Sequence, residues 1–353
     1  MKRQLDFLPL KAWFAAKKRD LPWRQTDDPY AIWISEIMLQ QTQVIVVIPY
    51  FLSWMQRFPT IRHLASASLD EVIKAWEGLG YYSRARHLHE SAQYLVKHFN
   101  GQLPSDEEEL KKMKGLGPYT IGAILSFAFH QKKAAVDGNV IRVLTRYFGI
   151  KEDISKSSTL NGLRQLAQDL LPDEESWVVN EALIELGATV CQRKARCSEC
   201  PLQASCKSFQ QGSVHLIPFK SHKVKTEYLY RSVAVIQSGH NFLVKRGQKG
   251  ALMSDLYEFP YFAMTKETFS AEELRMRIEQ HFALQVVQKH MLTEVSQGFT
   301  RYQVRLYPIL FMCLQPQEIE GLEWLSYSTL KHLAFSSGHR RIFQQLDDLL
   351  LPV

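Results

Sequence analysis

The first 210 residues carry apolar side chains at helical spacing, interrupted by helix start and stop signals. Helices are predicted from the capping box Ser68–Glu71 to the glycines at 78 and 80, from Ser83 to Phe99, from a second capping box, Ser105–Glu108, to Gly115, and from Trp177 to Val190. This part of the chain is therefore expected to be all-α.

One stretch, Val44–Ile48, is ambiguous by pattern alone. Its run of β-branched residues is typical of a buried strand. Its neighbours from Ile32 to Leu39 have helical spacing instead, and Pro49 is expected to end the run. Helix and strand both remain open here.

After Cys206 the pattern changes, first to a basic linker and then to mixed strands and helices. Two strands around a glycine turn are predicted between Arg231 and Arg246, a helix from Glu272 to Phe282, a strand from Tyr302 to Cys313, and a closing helix over residues 339–350. The pattern predicts a helical domain over residues 1–212, a linker over 213–228 and an α+β domain over 229–353.

The composition fits a two-domain protein with an anionic partner. The chain has 353 residues, 46% of them apolar, and a formal net charge of +7. Basic residues recur beside aromatic ones, as in Lys17-Lys18-Arg19 before Trp23-Arg24, which favours nucleic acid over other anions. The sequence contains no run of 18 apolar residues, and Met1–Phe7 does not resemble a secretion signal. We therefore expect a soluble cytoplasmic protein.

Four of the five cysteines lie within sixteen residues, in the pattern C-x5-C-x2-C-x5-C. They are Cys191, Cys197, Cys200 and Cys206. Thiolates so close in sequence can converge on one soft metal ion or cluster, and disulfides are disfavoured in the cytosol. The spacing leaves zinc and an iron–sulfur cluster open. The fifth, Cys313, has the apolar neighbours of a buried core residue.

A Gly-x-Gly-Pro turn, Gly115 to Pro118, follows a lysine-rich helix end. Proline is well tolerated in the first turn of a helix, and the free N–H groups there can bind a phosphate. This pattern is typical of a helix–hairpin–helix, which grips the DNA backbone. An ordinary packing corner would explain the glycines but not the surrounding lysines.

Two carboxylic acids have unusual surroundings. Glu36 lies among apolar residues, and burial raises the pKa of a carboxyl group, which suits a general acid. Asp137 precedes Gly138 and Asn139, where it could instead cap a helix. Either acid alone is better explained as structural, whereas both together with the hairpin favour catalysis.

Polar and aromatic residues elsewhere are candidate contacts to DNA bases. Gln40 and Gln41 lie inside an apolar stretch, so they either satisfy one another or face a ligand. Tyr81, Tyr82 and Arg84 at a helix start could stack on bases and meet phosphate. Plain core packing is the alternative for both tyrosines.

Together these motifs resemble the MutY adenine glycosylases of the endonuclease III superfamily. The resemblance is dense over residues 1–210, through Leu21-Pro-Trp-Arg24, Ser35-Glu-Ile-Met-Leu-Gln-Gln-Thr42, Ala75-Trp-Glu-Gly-Leu-Gly-Tyr-Tyr-Ser-Arg84, Gly115-Leu-Gly-Pro-Tyr-Thr120, Val136-Asp-Gly-Asn-Val140 and Asn180-Glu-Ala-Leu-Ile-Glu-Leu-Gly187. It is looser from Leu252 to Pro260, which resembles the family's Nudix-like domain. No Glu-rich Nudix box is present, so nucleotide hydrolysis is not expected.

The resemblance implies an all-α helix–hairpin–helix glycosylase domain with a [4Fe–4S] cluster loop, followed by a C-terminal α+β Nudix-like domain. It makes Val44–Ile48 helical. It also implies a monomer that binds double-stranded DNA with an adenine mispair and flips adenine, opposite 8-oxoguanine or guanine, into a pocket. In a bacterial cell it would act on the nucleoid.

The family's functional residues carry over by position. Glu36 matches the acid that protonates adenine N7, and Asp137 matches the carboxylate that stabilises the sugar cation. Tyr119 is implied to orient Asp137, and Asn139 to support it. The implied substrate and DNA contacts are Trp23, Arg24, Gln41, Tyr81, Gly115, Gly117, Glu181, Phe299 and Thr300.

Three sequence features distinguish this chain from related enzymes. Endonuclease III-like enzymes have a strand-cleaving lysine where this chain has Tyr119, so base removal without strand cleavage is expected. The cysteine spacing is one residue shorter between Cys191 and Cys197 than the family's usual spacing. The family's Phe-Ser-His element is Phe299-Thr300-Arg301 here, without the lesion-sensing histidine.

Two other functions remain as alternatives. One is an endonuclease III-like glycosylase–lyase acting on oxidised pyrimidines, which Tyr119 disfavours. The other is a non-enzymatic iron–sulfur protein that binds DNA, which Glu36 and Asp137 together disfavour.

Overall fold

The computed structural model describes residues 4–221, 225–248, 253–265, 270–299 and 301–350. The chain divides into two compact units. The first comprises Met1–Ser66 and His87–Lys223, and the second comprises Ala67–Arg86 and Val224–Val353. A short segment from the N-terminal half, residues 67–86, therefore belongs with the C-terminal half.

Twelve helices precede residue 211 in the described part of the chain, which confirms the predicted all-α region. They are α1 (Phe7–Lys17), α2 (Pro29–Met38), α3 (Val44–Arg57), α4 (Ile61–Ser66), α5 (Leu69–Ala75), α6 (Ser83–Phe99), α7 (Glu107–Lys111), α8 (Pro118–Phe127), α9 (Gly138–Phe148), α10 (Ser157–Leu170), α11 (Ser176–Thr189) and α12 (Lys207–Gln210). The predicted capping box of α5 is present, and α6 has its predicted bounds. Among the described helices none is both long and apolar enough to cross a bilayer.

The ambiguous stretch Val44–Ile48 is helical, as the resemblance implied. The expectation that Pro49 ends the run is wrong, because α3 continues through it to Arg57. A proline inside a helix removes the hydrogen bond to the carbonyl four residues earlier, here that of Ile45. Ile45 and Pro49 are both exposed, so water can reach that carbonyl.

The second predicted capping box is also displaced. Asp106, not Ser105, caps α7, and its carboxylate accepts from the backbone N–H of Glu109 at 2.9 Å. The carbonyl of Ser105 instead accepts from the side chain of Gln131. The helix ends at Lys111 rather than Gly115, because a separate turn leads into the hairpin.

Helix packing in the first unit buries an apolar core and the helix that carries Glu36. Helix α11 packs against α1 and α9 around a core that includes Leu10, Leu144, Val179 and Leu186. Helix α2 is buried along its whole length after Pro29 and packs against α8. Glu36, the carboxylate on α2, is therefore shielded from bulk solvent.

The second unit is built on a mixed sheet, which confirms the predicted α+β fold. Its strands are β1 (Glu227–Ser238), β2 (Asn241–Arg246), β3 (Tyr257–Glu258), β4 (Tyr261–Met264), β5 (Val286–Met291), β6 (Val295–Phe299), β7 (Tyr302–Cys313) and β8 (Glu323–Ser326). Strands β1 and β7 pair in parallel, whereas the other strand pairs are antiparallel. The sheet is accompanied by α13 (Ala271–Phe282), α14 (Tyr327–His332) and α15 (Ser337–Leu350). Residues alternate along β1 between two apolar cores, with Val233 and Val235 in one core and Ala234 and Ile236 in the other.

Candidate active site

A cavity of about 940 Å³ opens in the first unit. It is lined by residues of the turn before α2, of α2, of the hairpin and α8, of the start of α9, and of α11. Ten of the residues predicted from sequence line it: Trp23, Arg24, Glu36, Gln41, Gly115, Gly117, Tyr119, Asp137, Asn139 and Glu181. The fold therefore collects into one site residues that are spread over almost 160 positions of sequence.

Glu36 is fully buried, with 0% of its surface exposed. The phenol of Tyr119 donates to its Oε2 at 2.5 Å, and Arg24 Nη2 lies 3.3 Å from its Oε1. Glu36 is therefore held between a phenol donor and a guanidinium.

Arg24 lies between two carboxylates. Its Nη1 is 3.2 Å from Oε1 of Glu181, while its Nη2 faces Glu36, and its guanidinium stacks 4.4 Å from the ring of Phe127. Burial raises the pKa of Glu181, and the charge of Arg24 opposes that rise. The neighbouring Trp23 is fully buried, and its indole N–H has no partner among the described residues.

Asp137 combines a structural contact with a place in the cavity. It caps α9 through Oδ1, which accepts from the N–H groups of Asn139 at 2.9 Å and Val140 at 2.8 Å. Its Oδ2 accepts from the amide of Asn139 at 2.7 Å. Burial raises the pKa of Asp137, and these hydrogen bonds act in the opposite direction. The helix-cap and catalytic interpretations are therefore compatible.

Asn139 is held in turn by Arg142, which sequence reasoning missed. Arg142 Nη2 donates to Asn139 Oδ1 at 2.7 Å and to the carbonyl of Gly187 at 2.8 Å. Its Nε donates to the carbonyl of Cys191 at 2.7 Å. The one available signal was its position three residues after Asn139, on the same face of a helix. A chain of hydrogen bonds thus joins Asp137 to the cysteine segment.

Tyr119 contacts a different carboxylate from the one that the resemblance implied. It is the second residue of α8, which packs against α2, and its hydroxyl donates to Glu36 rather than to Asp137. Burial, together with the nearby charges of Glu36 and Asp137, raises the pKa of Tyr119 well above its ordinary value. The phenol therefore stays protonated and acts as a donor.

The hairpin adopts the geometry that its glycines predict. Gly115 has φ +80°, and a Cβ there would lie 2.8 Å from Cβ of His87. Both the backbone conformation and the lack of space therefore disfavour a side chain at this position. Gly117 is the N-cap of α8 and supplies no side chain to cap it, while Pro118 occupies the first helical position. The backbone N–H groups at this helix start are therefore available to an anion.

The two predicted glutamines lie in different environments. Gln40 Nε2 donates to Oγ1 of the buried Thr120 on α8, at 3.1 Å. Gln41 is exposed and has φ +60°, a backbone conformation that is uncommon for residues with a side chain. Gln40 thus fixes the loop after α2, and Gln41 projects from it.

The four clustered cysteines lie together in the segment that follows α11. They line one small cavity with Arg146, whose Nη1 is 3.5 Å from Sγ of Cys191. Arg146 also donates to the carbonyls of Gln192, Arg193 and Ile217 and so organises the loop. Across the described ranges, no group of three or more His, Cys, Asp or Glu side chains is arranged to hold a single metal ion.

Tyr81 and Tyr82 of the second unit, for which the sequence left base stacking and core packing open, differ in exposure. Tyr81 is 44% exposed, whereas Tyr82 is buried and its hydroxyl accepts from the N–H of Gly78 at 3.1 Å. The expectation that Arg84 meets phosphate is wrong. Arg84 is buried and donates to the carbonyls of Leu79 and Gly80, because these turn carbonyls point inward.

One other predicted lesion contact, Phe299, lies among the described residues. Phe299 ends β6, and its ring lies 5.6 Å from that of Tyr302. Thr300 lies outside the described residues. Arg301 is half-exposed and pairs with Glu227 at 3.2 Å.

Comparison with known proteins gives two family matches and many relatives. Residues 34–169 match the HhH-GPD superfamily of base excision DNA repair proteins, and residues 232–345 match the NUDIX domain. The chain is 33% identical to the adenine DNA glycosylase of Rattus norvegicus, over 96% of this chain and 77% of the rat protein. It is 36% identical to that of Buchnera aphidicola subsp. Baizongia pistaciae, over 72% of each. The match to the human adenine DNA glycosylase is 46% identical over 57% of this chain, but it spans only 39% of the human protein.

Solved structures resemble the helical region. A thermostable thymine-DNA glycosylase superposes with a TM-score of 0.53 and 28% identity, over 57% of this chain and 94% of the other. A trapped endonuclease III–DNA covalent intermediate gives a TM-score of 0.50 at 23% identity, over 57% and 93%. Both likenesses confirm the predicted helical glycosylase fold.

Proposed function

The chain belongs to the adenine DNA glycosylases of the HhH-GPD superfamily, and from that premise we propose that it removes adenine mispaired with 8-oxoguanine or guanine by hydrolysing the N-glycosidic bond. The observation that carries the proposal is the single cavity in which Arg24, Glu36, Tyr119, Asp137 and Glu181 converge. Double-stranded DNA is the partner, and the enzyme acts in base excision repair.

Base flipping brings adenine from the duplex into this cavity. Adenine offers ring nitrogens that accept and one amino group that donates. The cavity supplies matching groups, namely the buried N–H of Trp23, the guanidinium of Arg24 and the carboxylate of Glu181. Gln41 and Tyr81 are each exposed, and each is suited to enter the opened duplex.

Glu36 is the general acid. It transfers a proton to N7 of adenine, so that the base departs as a neutral leaving group and takes the electron pair of the broken bond to C1′. Tyr119 holds Glu36 in place, and Arg24 balances the charge that Glu36 gains on losing its proton. Such donors are most effective in an enclosed site, where water does not screen them.

Asp137 stabilises the positive charge that develops on the sugar. Its two oxygens are held by α9 and by Asn139, so the carboxylate is already oriented before the bond breaks. Water then adds to C1′, a carboxylate accepts the released proton, and the products are adenine and an abasic site. The DNA strand stays intact, because the phenol of Tyr119 cannot form a Schiff base.

The four cysteines suit an iron–sulfur cluster, since thiolates are the usual ligands of such clusters, and the match to the HhH-GPD superfamily favours a cluster over zinc. All four line one cavity, and Arg146 can balance thiolate charge there. We therefore assign a [4Fe–4S] cluster to Cys191, Cys197, Cys200 and Cys206, where it would cross-link the loop between α11 and α12.

The test is single-turnover cleavage of duplexes with adenine opposite 8-oxoguanine, guanine or thymine, each divided into alkali-treated and untreated halves. We expect strand breaks only after alkali, and most opposite 8-oxoguanine. Breaks without alkali, with a protein–DNA adduct trapped by borohydride, would favour the lyase alternative. The absence of adenine release by a cluster-loaded protein would leave the binding-only alternative.

Two variants separate chemistry from binding. Glu36→Gln and Asp137→Asn keep the shape of each side chain and remove its acid function, so adenine release should fall by about 100- to 10,000-fold. Affinity for the same duplex should change little. Adenine release at the wild-type rate by either variant would overturn its assigned role.

A further inference from the structure

The segment that presents Tyr81 is a turn with three residues at positive φ. Gly78, Gly80 and Tyr81 have φ values of +101°, +71° and +50°, all in the left-handed region. Trp76 Nε1 donates to the carbonyl of Gly80 at 3.1 Å, and the guanidinium of Arg84 donates to the same carbonyl at 3.0 Å. Glycine adopts positive φ readily, whereas Tyr81 at φ +50° is a strained position that persists only when neighbouring contacts hold it.

The neighbouring contact is made by Glu77, one residue before the turn. Its Oε1 accepts from Arg340 Nε at 2.6 Å and from the backbone N–H of Phe335 at 2.9 Å. Its Oε2 accepts from Lys74 Nζ at 2.7 Å and from Arg340 Nη2 at 3.2 Å. Lys74 also donates to the carbonyl of Leu333 at 2.9 Å. We call these five residues the Glu77 anchor.

The Glu77 anchor is enclosed by neighbouring side chains as well as hydrogen-bonded. The side chains of Glu77 and Arg340 are only 14% and 17% exposed. The guanidinium of Arg340 lies 4.9 Å from the ring of Phe335 and 5.3 Å from that of Phe343, so it is packed between aromatic faces. Four donors on one enclosed carboxylate make a much stronger contact than an exposed ion pair.

We propose that the Glu77 anchor lets the C-terminal sheet domain set the position of Tyr81, so that Glu77 and Arg340 are positioning residues for duplex binding. The proposal rests on the proposed function only in taking Tyr81 as a DNA contact. Neither residue lies in the active-site cavity. Their effect on DNA therefore passes through the turn that Glu77 precedes.

The test is the affinity of the full chain for a fluorescein-labelled duplex with adenine opposite 8-oxoguanine, measured by anisotropy. Glu77→Gln and Arg340→Lys should each weaken binding by roughly 2- to 30-fold. In a Tyr81→Ala background the same substitutions should have no further effect, since the positioned side chain is gone. Additive losses in that background, or wild-type affinity of the single variants, would overturn the proposal.

The matched control is Asp70→Asn. Asp70 pairs with Arg246 in the same unit, but both side chains are well exposed, so its loss should not alter affinity. Arg340→Lys keeps the positive charge and serves if Glu77→Gln does not fold, as judged by thermal unfolding. Adenine release by the wild type reports on the proposed function, and non-additive affinities report on the anchor, so either can fail alone.

Discussion

At the scale of single residues, the hydrogen bond from Tyr119 to Glu36 gives the most direct test of the site. Replacing Tyr119 by phenylalanine removes the donor and leaves the ring, so Glu36 loses a hydrogen bond to its charged form. Hydrogen bonds to charged groups contribute ~1.5–3 kcal/mol, so we expect adenine release to slow by about 10- to 100-fold. Single-turnover rates at saturating enzyme measure this.

A matched control is Tyr147→Phe, which changes a tyrosine in the core of the same unit, on α9. Its rate should equal that of the wild type. If Tyr119→Phe releases adenine as fast as Tyr147→Phe, the phenol does not support Glu36 in its proposed role as general acid.

Asp137 gives a pH prediction. In its proposed role it must be ionised to stabilise the sugar cation, and burial already raises its pKa, so activity should fall on acidification at a higher pH than for an ordinary aspartate. The amide of Asn139 lowers this pKa by donating to the carboxylate. Asn139→Ala should therefore raise the pKa and move the acidic limb of the rate profile to higher pH.

The measurement is the single-turnover rate from acid to neutral pH. Asn161→Ala, on the exposed side of α10, is the control and should keep the wild-type profile. An unchanged limb in Asn139→Ala, with only a lower plateau, would mean that Asn139 affects the rate without affecting the ionisation of Asp137.

At the scale of elements, two helices approach one another through a glycine. A Cβ on Gly187 of α11 would lie 2.6 Å from Cβ and 2.9 Å from Cα of Asn139 on α9. Gly187→Ala should therefore force the helices apart, reduce the free energy of unfolding by ~1–3 kcal/mol, and slow adenine release by displacing Asn139.

Gly162→Ala provides the opposite case. Gly162 lies inside α10, and a Cβ added there would meet no atom within 4 Å, so alanine should stabilise the helix by ~0.5–1 kcal/mol. Denaturant unfolding of both variants measures the contrast. Equal stability of the two would show that α9 and α11 can separate without cost.

Start and stop residues in the sequence predicted the limits of those helices and strands whose ends depend on neighbouring residues alone. The bounds of α6 follow from Ser83 and from Asn100-Gly101, and the strand Tyr302–Cys313 has its predicted limits. Pro49 did not end α3, because the cost of a proline depends on whether water reaches the freed carbonyl, which local sequence does not specify.

The sequence predicted ten of the residues that line the cavity, but it did not predict which of them contact one another. The partner of Tyr119 depends on how α8 packs against α2, and the role of Arg142 depends on how close α9 comes to Cys191. Both are distances between elements far apart in sequence. The predicted domain limits, with a linker over residues 213–228, stay a prediction.

At the scale of the whole molecule, the cysteine loop and the lone cysteine allow a clean comparison. Cys197→Ser removes one proposed cluster ligand, so the protein should lose iron and the visible absorption of the cluster, and its first unit should become less stable. Cys313→Ser alters a buried thiol on β7, in the other unit, and should keep the full iron content.

Iron analysis and absorption spectra of both purified variants make the measurement. Zinc without iron in the wild type would contradict the cluster assignment. Loss of iron in Cys313→Ser as well would mean that iron content follows general stability rather than ligation.

Because residues 67–86 belong to the second unit, evolution cannot freely recombine the two halves of this protein. The family match that ends at residue 169 includes that segment, yet its Glu77 is bonded to Arg340, far beyond the match. Exchanging the NUDIX-type half for another by recombination near residue 224 would replace Arg340 and leave Glu77 behind. Natural shuffling at that junction should therefore yield poor hybrids, and the two halves are expected to change in step over evolutionary time.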